Sequence, residues 1–293
     1  MKKIYMILGF IVACLIILSL LYRNRNQSLT KPQIISTIYP WHDAAQHIVR
    51  GIAESGVIVP AGVEPHEYEP SALDVINATQ ADLFIYNGGV IDAWSEKIVA
   101  ERTQKGKKSF RALDYVSQTK DPHIWLNPAF FLNVSRALGN TITTLYPKEY
   151  NSVLKNETNY FSRIEKLDSE YNLTLQSCKK NTIAVSHDAF RHMAKQYNFE
   201  TVAISGISPE EEPSIKRLRE VSEIIKEKKI RYIFFETLVS SKLADSIAAE
   251  SNASTLVLNP LEGLTTQQLK EGASYESVMK DNLKQLQIAL ECN

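Results

Sequence analysis

Hydrophobic and polar positions along the chain fall into two alternating rhythms. Residues 4–22 form an almost unbroken apolar run, flanked by Met1-Lys2-Lys3 and by Arg23-Asn24-Arg25-Asn26. Ile34-Ile35-Ser36-Thr37-Ile38-Tyr39 then reads as a short strand stopped by Pro40. Residues 56–59 and 81–86 are further strand candidates, the second closed by Gly88-Gly89. Between them residues 71–79 have helical spacing and open on Ser71, a good N-cap. Pro128 suits the first turn of a helix running to about residue 145, because that position has no intrahelical use for an N–H.

Residues 148–178 predict one long helix. Val153, Leu154, Phe161, Ile164, Leu167, Tyr171, Leu175 and Cys178 recur at three- and four-residue steps, with no Pro or Gly between them. About 30 residues would span roughly 45 Å, longer than either half of the chain is wide, and therefore suit a rigid strut. The alternation then resumes. Strands are expected at 182–185, 201–204, 230–235 and 255–258, and helices at 188–197, 213–229, 240–250 and 275–290. Pro213 would open its helix, with Glu210, Glu211 and Glu212 at the positive end of the dipole. Strands alternating with helices predict parallel sheets flanked by helices. The expected architecture is α/β with two lobes, 27–147 and 179–293, bridged by the helix 148–178, with 1–26 as a leader or anchor.

Composition narrows the class. The chain of 293 residues is 44% hydrophobic and 23% charged, with 33 basic and 33 acidic side chains, which argues against disorder and against a nucleic-acid binder. Lys2, Lys3, Arg23 and Arg25 precede residue 27, leaving the remainder mildly acidic at 29 basic to 33 acidic. The apolar run 4–22 is apolar on every face, so a core helix is disfavoured. It reads as an uncleaved membrane anchor, or as a lipoprotein leader in which Ile11-Val12-Ala13-Cys14 resembles a lipobox and Cys14 takes the lipid. Either way the body is expected outside a bacterial plasma membrane and tethered to it. Cys178 and Cys292 could pair in such an oxidising compartment or remain thiols; spacing leaves both open.

Three of the six histidines share a context. His66 lies in Gly62-Val63-Glu64-Pro65-His66-Glu67-Tyr68-Glu69-Pro70, His123 in Asp121-Pro122-His123-Ile124-Trp125-Leu126-Asn127-Pro128, and His187 in Val185-Ser186-His187-Asp188-Ala189-Phe190. Each falls in a loop where a parallel sheet presents its ligand site. Glu262, in Asn259-Pro260-Leu261-Glu262-Gly263, follows another strand. Three imidazoles and a carboxylate suit four-coordinate Zn2+. No HExxH or paired CxxC is present, so these ligands must converge from distant segments. A lone loop histidine is more simply a residue bonded to its neighbour. His42, His47 and His192 sit on helical patterns and are read that way, His192 pointing away from His187.

These motifs resemble the metal-binding component of zinc ABC importers, in the ZnuA/TroA-like cluster of solute-binding proteins for Zn2+ and Mn2+. The resemblance spans about residues 34–290 and includes Thr37-Ile38-Tyr39-Pro40, Glu69-Pro70-Ser71, Gly206-Ile207-Ser208-Pro209-Glu210-Glu211-Glu212-Pro213-Ser214 and Leu258-Asn259-Pro260-Leu261-Glu262-Gly263. It implies two α/β lobes joined by one long helix with the metal between them, held by His66 and His123 from the first lobe and His187 and Glu262 from the second. Manganese-type members carry a carboxylate at the position of His187, so histidine there favours zinc, as imidazole chemistry also does. Glu236, at another strand end, is a reserve ligand better suited to bonding a ligand from behind. The His-rich loop of many zinc members is missing between His66 and His123; the stretch 102–111 is basic instead and reads as a solvated loop.

The resemblance implies capture of Zn2+ and delivery to a membrane permease driven by a cytoplasmic ATPase, by a monomer that is not an enzyme. The alternatives are Mn2+ or Fe2+ binding in the same importer class, a zinc hydrolase using Glu67 or Asp188 as base, an iron-chelate or corrinoid binder, and an adhesin. The hydrolase would need an open coordination position.

Overall fold

Ile34–Ser36 (β1) and Leu83–Tyr86 (β3) are buried at every position, as strands sandwiched between helices must be. The structure, a computed structural model, describes residues 33–117 and 119–293. The apolar run 4–22 and Cys14 lie outside the described residues. β1 pairs in parallel with Ser55–Val57 (β2) on one side and β3 on the other, and β3 pairs with Lys108–Arg111 (β4). The first sheet therefore has the order β2-β1-β3-β4.

The second sheet repeats that order with Thr182–Val185 (β5), Glu200–Ala203 (β6), Tyr232–Phe235 (β7) and Ser254–Val257 (β8), arranged β6-β5-β7-β8 and parallel throughout. Strand order reverses at β1/β3 and at β5/β7, the switch points where open α/β sheets bind ligands.

Tyr39–Ile48 (α1), Ala72–Gln80 (α2), Ser95–Gln104 (α3) and Pro128–Leu145 (α4) flank the first sheet. Arg191–Tyr197 (α6), Ile215–Glu227 (α7), Lys242–Ser251 (α8), Thr266–Lys270 (α9) and Tyr275–Ala289 (α10) accompany the second. Ser71 caps α2 in a reciprocal capping box with Asp74, and Pro128 occupies the first turn of α4 with Asn127 as cap.

Tyr150–Leu175 (α5) is the expected strut, 26 residues long and entered by a separate 3-10 turn at Pro147–Glu149. It is shorter at both ends than 148–178, since Pro147 diverts the entry and residues 176–178 leave the helical path. Its first half binds the first lobe: Asn156 donates to the carbonyls of Ile48 and Arg50, and Tyr160 to Asp43. Its second half binds the second: Tyr171 donates to the Met279 carbonyl, and Asp168 accepts from Tyr197. Cys178 and Cys292 form a disulfide that pins the chain beyond α5 to the end of α10.

Three expectations are corrected. The basic stretch 102–111 is not a loop: it holds the end of α3 and all of β4, and Arg102 is fully buried. The helix expected at 188–197 starts only at Arg191, because residues 188–190 belong to the loop carrying His187. The helix expected to open at Pro213 is capped by Ser214 and begins at Ile215. Smaller shifts of one to three residues affect the other strand ends.

Candidate metal centre

Each candidate residue sits in a loop leaving the carboxyl side of a sheet. His66 belongs to a 3-10 turn, Pro65–Glu67, between β2 and α2, where Pro65 fixes the entry. His123 precedes another such turn, Ile124–Leu126, ahead of α4. His187 lies two residues past β5, and Glu262 follows β8.

Glu262 is delivered by a constrained backbone. Leu261 before it is fully buried with φ 55°, a left-handed conformation costly for a branched side chain. Hydrogen bonds hold it there: Leu261 N donates to Asn259 Oδ1 at 2.7 Å, Asn259 N to Asn282 Oδ1, and Asn282 Nδ2 to Asn259 O. The lobes are tied beside it, with Trp125 Nε1 donating to the Pro260 carbonyl at 2.8 Å and Tyr275 Oη to the Trp125 carbonyl at 2.6 Å.

The structure brings all four predicted residues together, with one donor atom from each lying within 4.8 Å of every other. Glu262 Oε1 stands 3.4 Å from His66 Nε2, 3.1 Å from His123 Nε2 and 3.3 Å from His187 Nε2. His123 Nε2 is 3.4 Å from both His66 Nε2 and His187 Nε2. Ligands about 2.0–2.1 Å from a tetrahedral Zn2+ stand roughly 3.3–3.4 Å apart, so these separations match the edges of a zinc tetrahedron.

His123, His187 and Glu262 have no exposed surface, and the His66 side chain retains only 4%. Among the described residues, neither oxygen of Glu262 has a hydrogen-bond partner. A buried carboxylate facing three imidazole nitrogens is costly unless a cation lies among them.

Two of the rings are fixed from behind. His123 Nδ1 donates to Asp121 Oδ1 at 2.8 Å, and the same oxygen accepts from the His123 backbone N–H at 3.0 Å. His187 Nδ1 donates to Glu236 Oε1 at 2.6 Å, an oxygen that also accepts from Ser186 Oγ and the His187 backbone N–H. A carboxylate can only accept, so both rings carry their proton on Nδ1 and turn an Nε2 lone pair inward. Glu236 thus occupies the supporting position expected of it.

Asp121 and Glu64 were missed. Asp121 is two residues from His123, in the motif itself, but nothing in its spacing shows that its carboxylate turns back onto the ring. Glu64 accepts from the His66 backbone N–H at 3.1 Å. Burial, together with the Glu262 charge, pushes Glu64 up to about 9.

Burial would lower His187, but the Glu236 and Glu262 carboxylates reverse this and hold it well above the ordinary imidazole value. His123 is likewise raised, burial being outweighed by its hydrogen bond to Asp121 and by the Glu262 carboxylate facing it. Burial would raise Glu262, yet the three imidazoles hold it well below the usual carboxylate range. Without a cation, protons bind the cluster together.

The other histidines stay outside. His42 bonds Ser55 through Nδ1, and His47 contacts Asp43. His192 turns its Nε2 to Thr119 and Asp121.

The family profile described as zinc-uptake complex component A, periplasmic (ZnuA), matches residues 34–289. The chain belongs to this family. The zinc-binding lipoprotein AdcA of Streptococcus pneumoniae is 33% identical over 311 residues, covering 98% of this chain and 60% of AdcA. The chain therefore spans about three fifths of that relative's length. The high-affinity zinc uptake system protein ZnuA of Bacillus subtilis is 31% identical over 280 residues, covering 89% of this chain and 88% of that protein. Among solved structures, the Zn(II)-bound ZnuA-like domain of S. pneumoniae AdcA superposes with a TM-score of 0.80 at 35% identity, covering 89% of this chain and 99% of the domain.

Proposed function

We propose that this chain captures Zn2+ outside the cytoplasmic membrane and delivers it to an ABC permease driven by a cytoplasmic ATPase. The observation that carries the reading is the convergence of His66, His123, His187 and Glu262 in a buried seam between two lobes, with five donor separations of 3.1–3.4 Å. All four act as ligands in this proposal, with zinc as cargo. The family membership and the zinc-binding names of the relatives support the same assignment. The fourth ligand closes the shell, which suits holding an ion rather than activating water. The chain therefore acts as a carrier without enzymatic activity, working as a monomer.

Delivery needs a change that loosens the site. The two lobes are bridged by the strut and further joined by Trp125–Pro260 and Tyr275–Trp125. A small relative shift is enough to separate the first-lobe ligands from those of the second, so no wide hinge motion is required. The N-terminal segment keeps the carrier near its permease, as an anchor helix or through lipid on Cys14, and so raises its effective concentration.

The test is to strip the purified chain with chelator and titrate it with Zn2+ and Mn2+. One tight Zn2+ per chain, lost in His187→Ala, is the expected outcome. Preference for Mn2+ with His187 dispensable would overturn the metal and the ligand set. No tight metal would overturn the proposal.

A further inference from the structure

His192 meets the metal centre from behind and from the opposite lobe. It is the second residue of α6, in the second lobe, while Thr119, Asp121, Asn127 and Phe130 belong to the first. Its Nε2 lies 3.2 Å from the Asp121 carbonyl, 3.3 Å from Thr119 Oγ1 and 3.5 Å from Asp121 Oδ2. Its own carbonyl accepts from Asn127 Nδ2 at 3.4 Å, and its ring meets Phe130 edge-on with centroids 5.6 Å apart.

Asp121 is held from both lobes, its carboxylate by His123 and its carbonyl by His192. Oδ1 is committed to the His123 ring and backbone, at 2.8 and 3.0 Å. Oδ2 is buried and has no hydrogen-bond partner among the described residues; His192 Nε2 faces it at 3.5 Å while bonding the Asp121 carbonyl at 3.2 Å. Asp121 can therefore hold the His123 ring only as firmly as its own orientation is held, and the group facing its free oxygen comes from the second lobe.

We infer that His192 is a positioning residue for the zinc site: by clamping Asp121 across the seam, it keeps His123 oriented for the metal while the lobes are together. Separating the lobes removes the clamp, frees Asp121 to rotate and slackens a ligand on the first lobe. Movement of the second lobe thereby weakens both halves of the site, which links lobe separation to zinc release. This inference rests on the zinc reading above.

The ring borders a cavity of about 510 Å³, shared with Phe130, Lys195 and Gln196, which leaves room for exchange at this position. His192→Phe keeps an aromatic ring against Phe130 and removes the donor. His192→Gln restores an N–H. Full-length chain is loaded with Zn2+, and its release into excess chelator is timed. His192→Phe should release zinc about 10-fold faster, in the range set by losing a partner behind a ligand, and His192→Gln should stay within about 3-fold of the unmodified chain. In metal-free protein, the His123 Nδ1–H resonance should be retained in His192→Gln and lost to exchange in His192→Phe.

Unchanged release from His192→Phe, with that resonance intact, overturns the inference. Equal acceleration in both variants, matched by equal falls in metal-free melting temperature, also overturns it by showing a merely structural role. A failure of the zinc reading is distinguishable, because the unmodified chain would then hold no tight zinc.

Discussion

The His187 ring is held between two glutamates, donating from Nδ1 to Glu236 Oε1 at 2.6 Å and turning Nε2 to Glu262 Oε1 at 3.3 Å. Glu236 thus sets both the tautomer and the aim of His187. Glu236→Gln can still accept weakly but removes the charge that makes the ring basic. Zinc affinity should fall about 10- to 100-fold while stoichiometry stays at one. Competition against a chelator of known affinity measures it, and an unchanged constant would remove Glu236 from the site.

Acidity should act on the site from above the ordinary histidine range. His123 and His187 are both raised in the metal-free protein, so zinc must displace protons already near neutrality. Affinity should decline as pH falls from about 8 toward 6, beginning above the free-histidine value of about 6.5. Stability follows with definite signs. The raised histidines stabilise the metal-free fold fully below about 6.5, and this is lost as pH rises through their folded values. Glu262, held low, contributes above about 4.5 and loses that contribution as pH falls through its folded value. The gain in melting temperature on adding zinc should therefore grow from about pH 6 to 8. A gain that shrinks over that interval would contradict this electrostatic account.

The fold was legible where local chemistry and tertiary role agree. β5 falls at the expected residues, Ser71 and Pro128 mark their helices, and the four ligand candidates converge. The failures have a common physical origin. β4 is an edge strand in which only Phe110 is fully buried, so Lys108–Arg111 has the polarity of a loop. Arg102 looks like a surface charge because its partners are backbone carbonyls, which leave no trace in side-chain pattern. His192 has helical spacing, and nothing local shows that Asp121 comes to meet it from 71 residues away.

The Cys178–Cys292 disulfide closes a separation of 114 residues, and neither cysteine belongs to the metal cluster. Loop-closure arithmetic puts its contribution at about 4–5 kcal/mol, and native disulfides typically contribute about 2–4. Cys178→Ser combined with Cys292→Ser should lower unfolding free energy by about 2–4 kcal/mol and leave one zinc per chain. Denaturant titration with and without reductant checks this. Insensitivity of the unmodified chain to reductant would show that the pair adds nothing.

Arg102 is completely buried, and the groups it bonds are acceptors at the end of α2 and along β4. Nη1 donates to the carbonyls of Ala78, Thr79 and Ala81, Nη2 to those of Asp82 and Lys108, and Nε to Ser109 Oγ. It closes the negative end of α2 and joins it to the edge strand. Burial lowers the guanidinium to about 10, so it stays charged at neutral pH. Arg102→Met fills the volume but orphans those carbonyls and should cost about 3 kcal/mol or more, with zinc affinity retained in the folded fraction. A melting temperature equal to that of the unmodified chain would refute this role.

Glu262 separates carrier from catalyst. It supplies the only carboxylate among the four candidate ligands, and the left-handed Leu261 and the Asn259–Asn282 bonds hold it in place. Glu262→Ala leaves three imidazoles and an open position, the arrangement typical of catalytic zinc. For a carrier, zinc affinity should fall about 100-fold or more, because a charged ligand is lost and His187 no longer faces it. Glu262→Gln, equal in size but neutral, should fall between the two, separating the effect of charge from that of shape. If Glu262→Ala instead binds zinc as tightly as the unmodified chain, the three histidines suffice, the fourth position belongs to water or substrate, and hydrolysis becomes the reading to pursue.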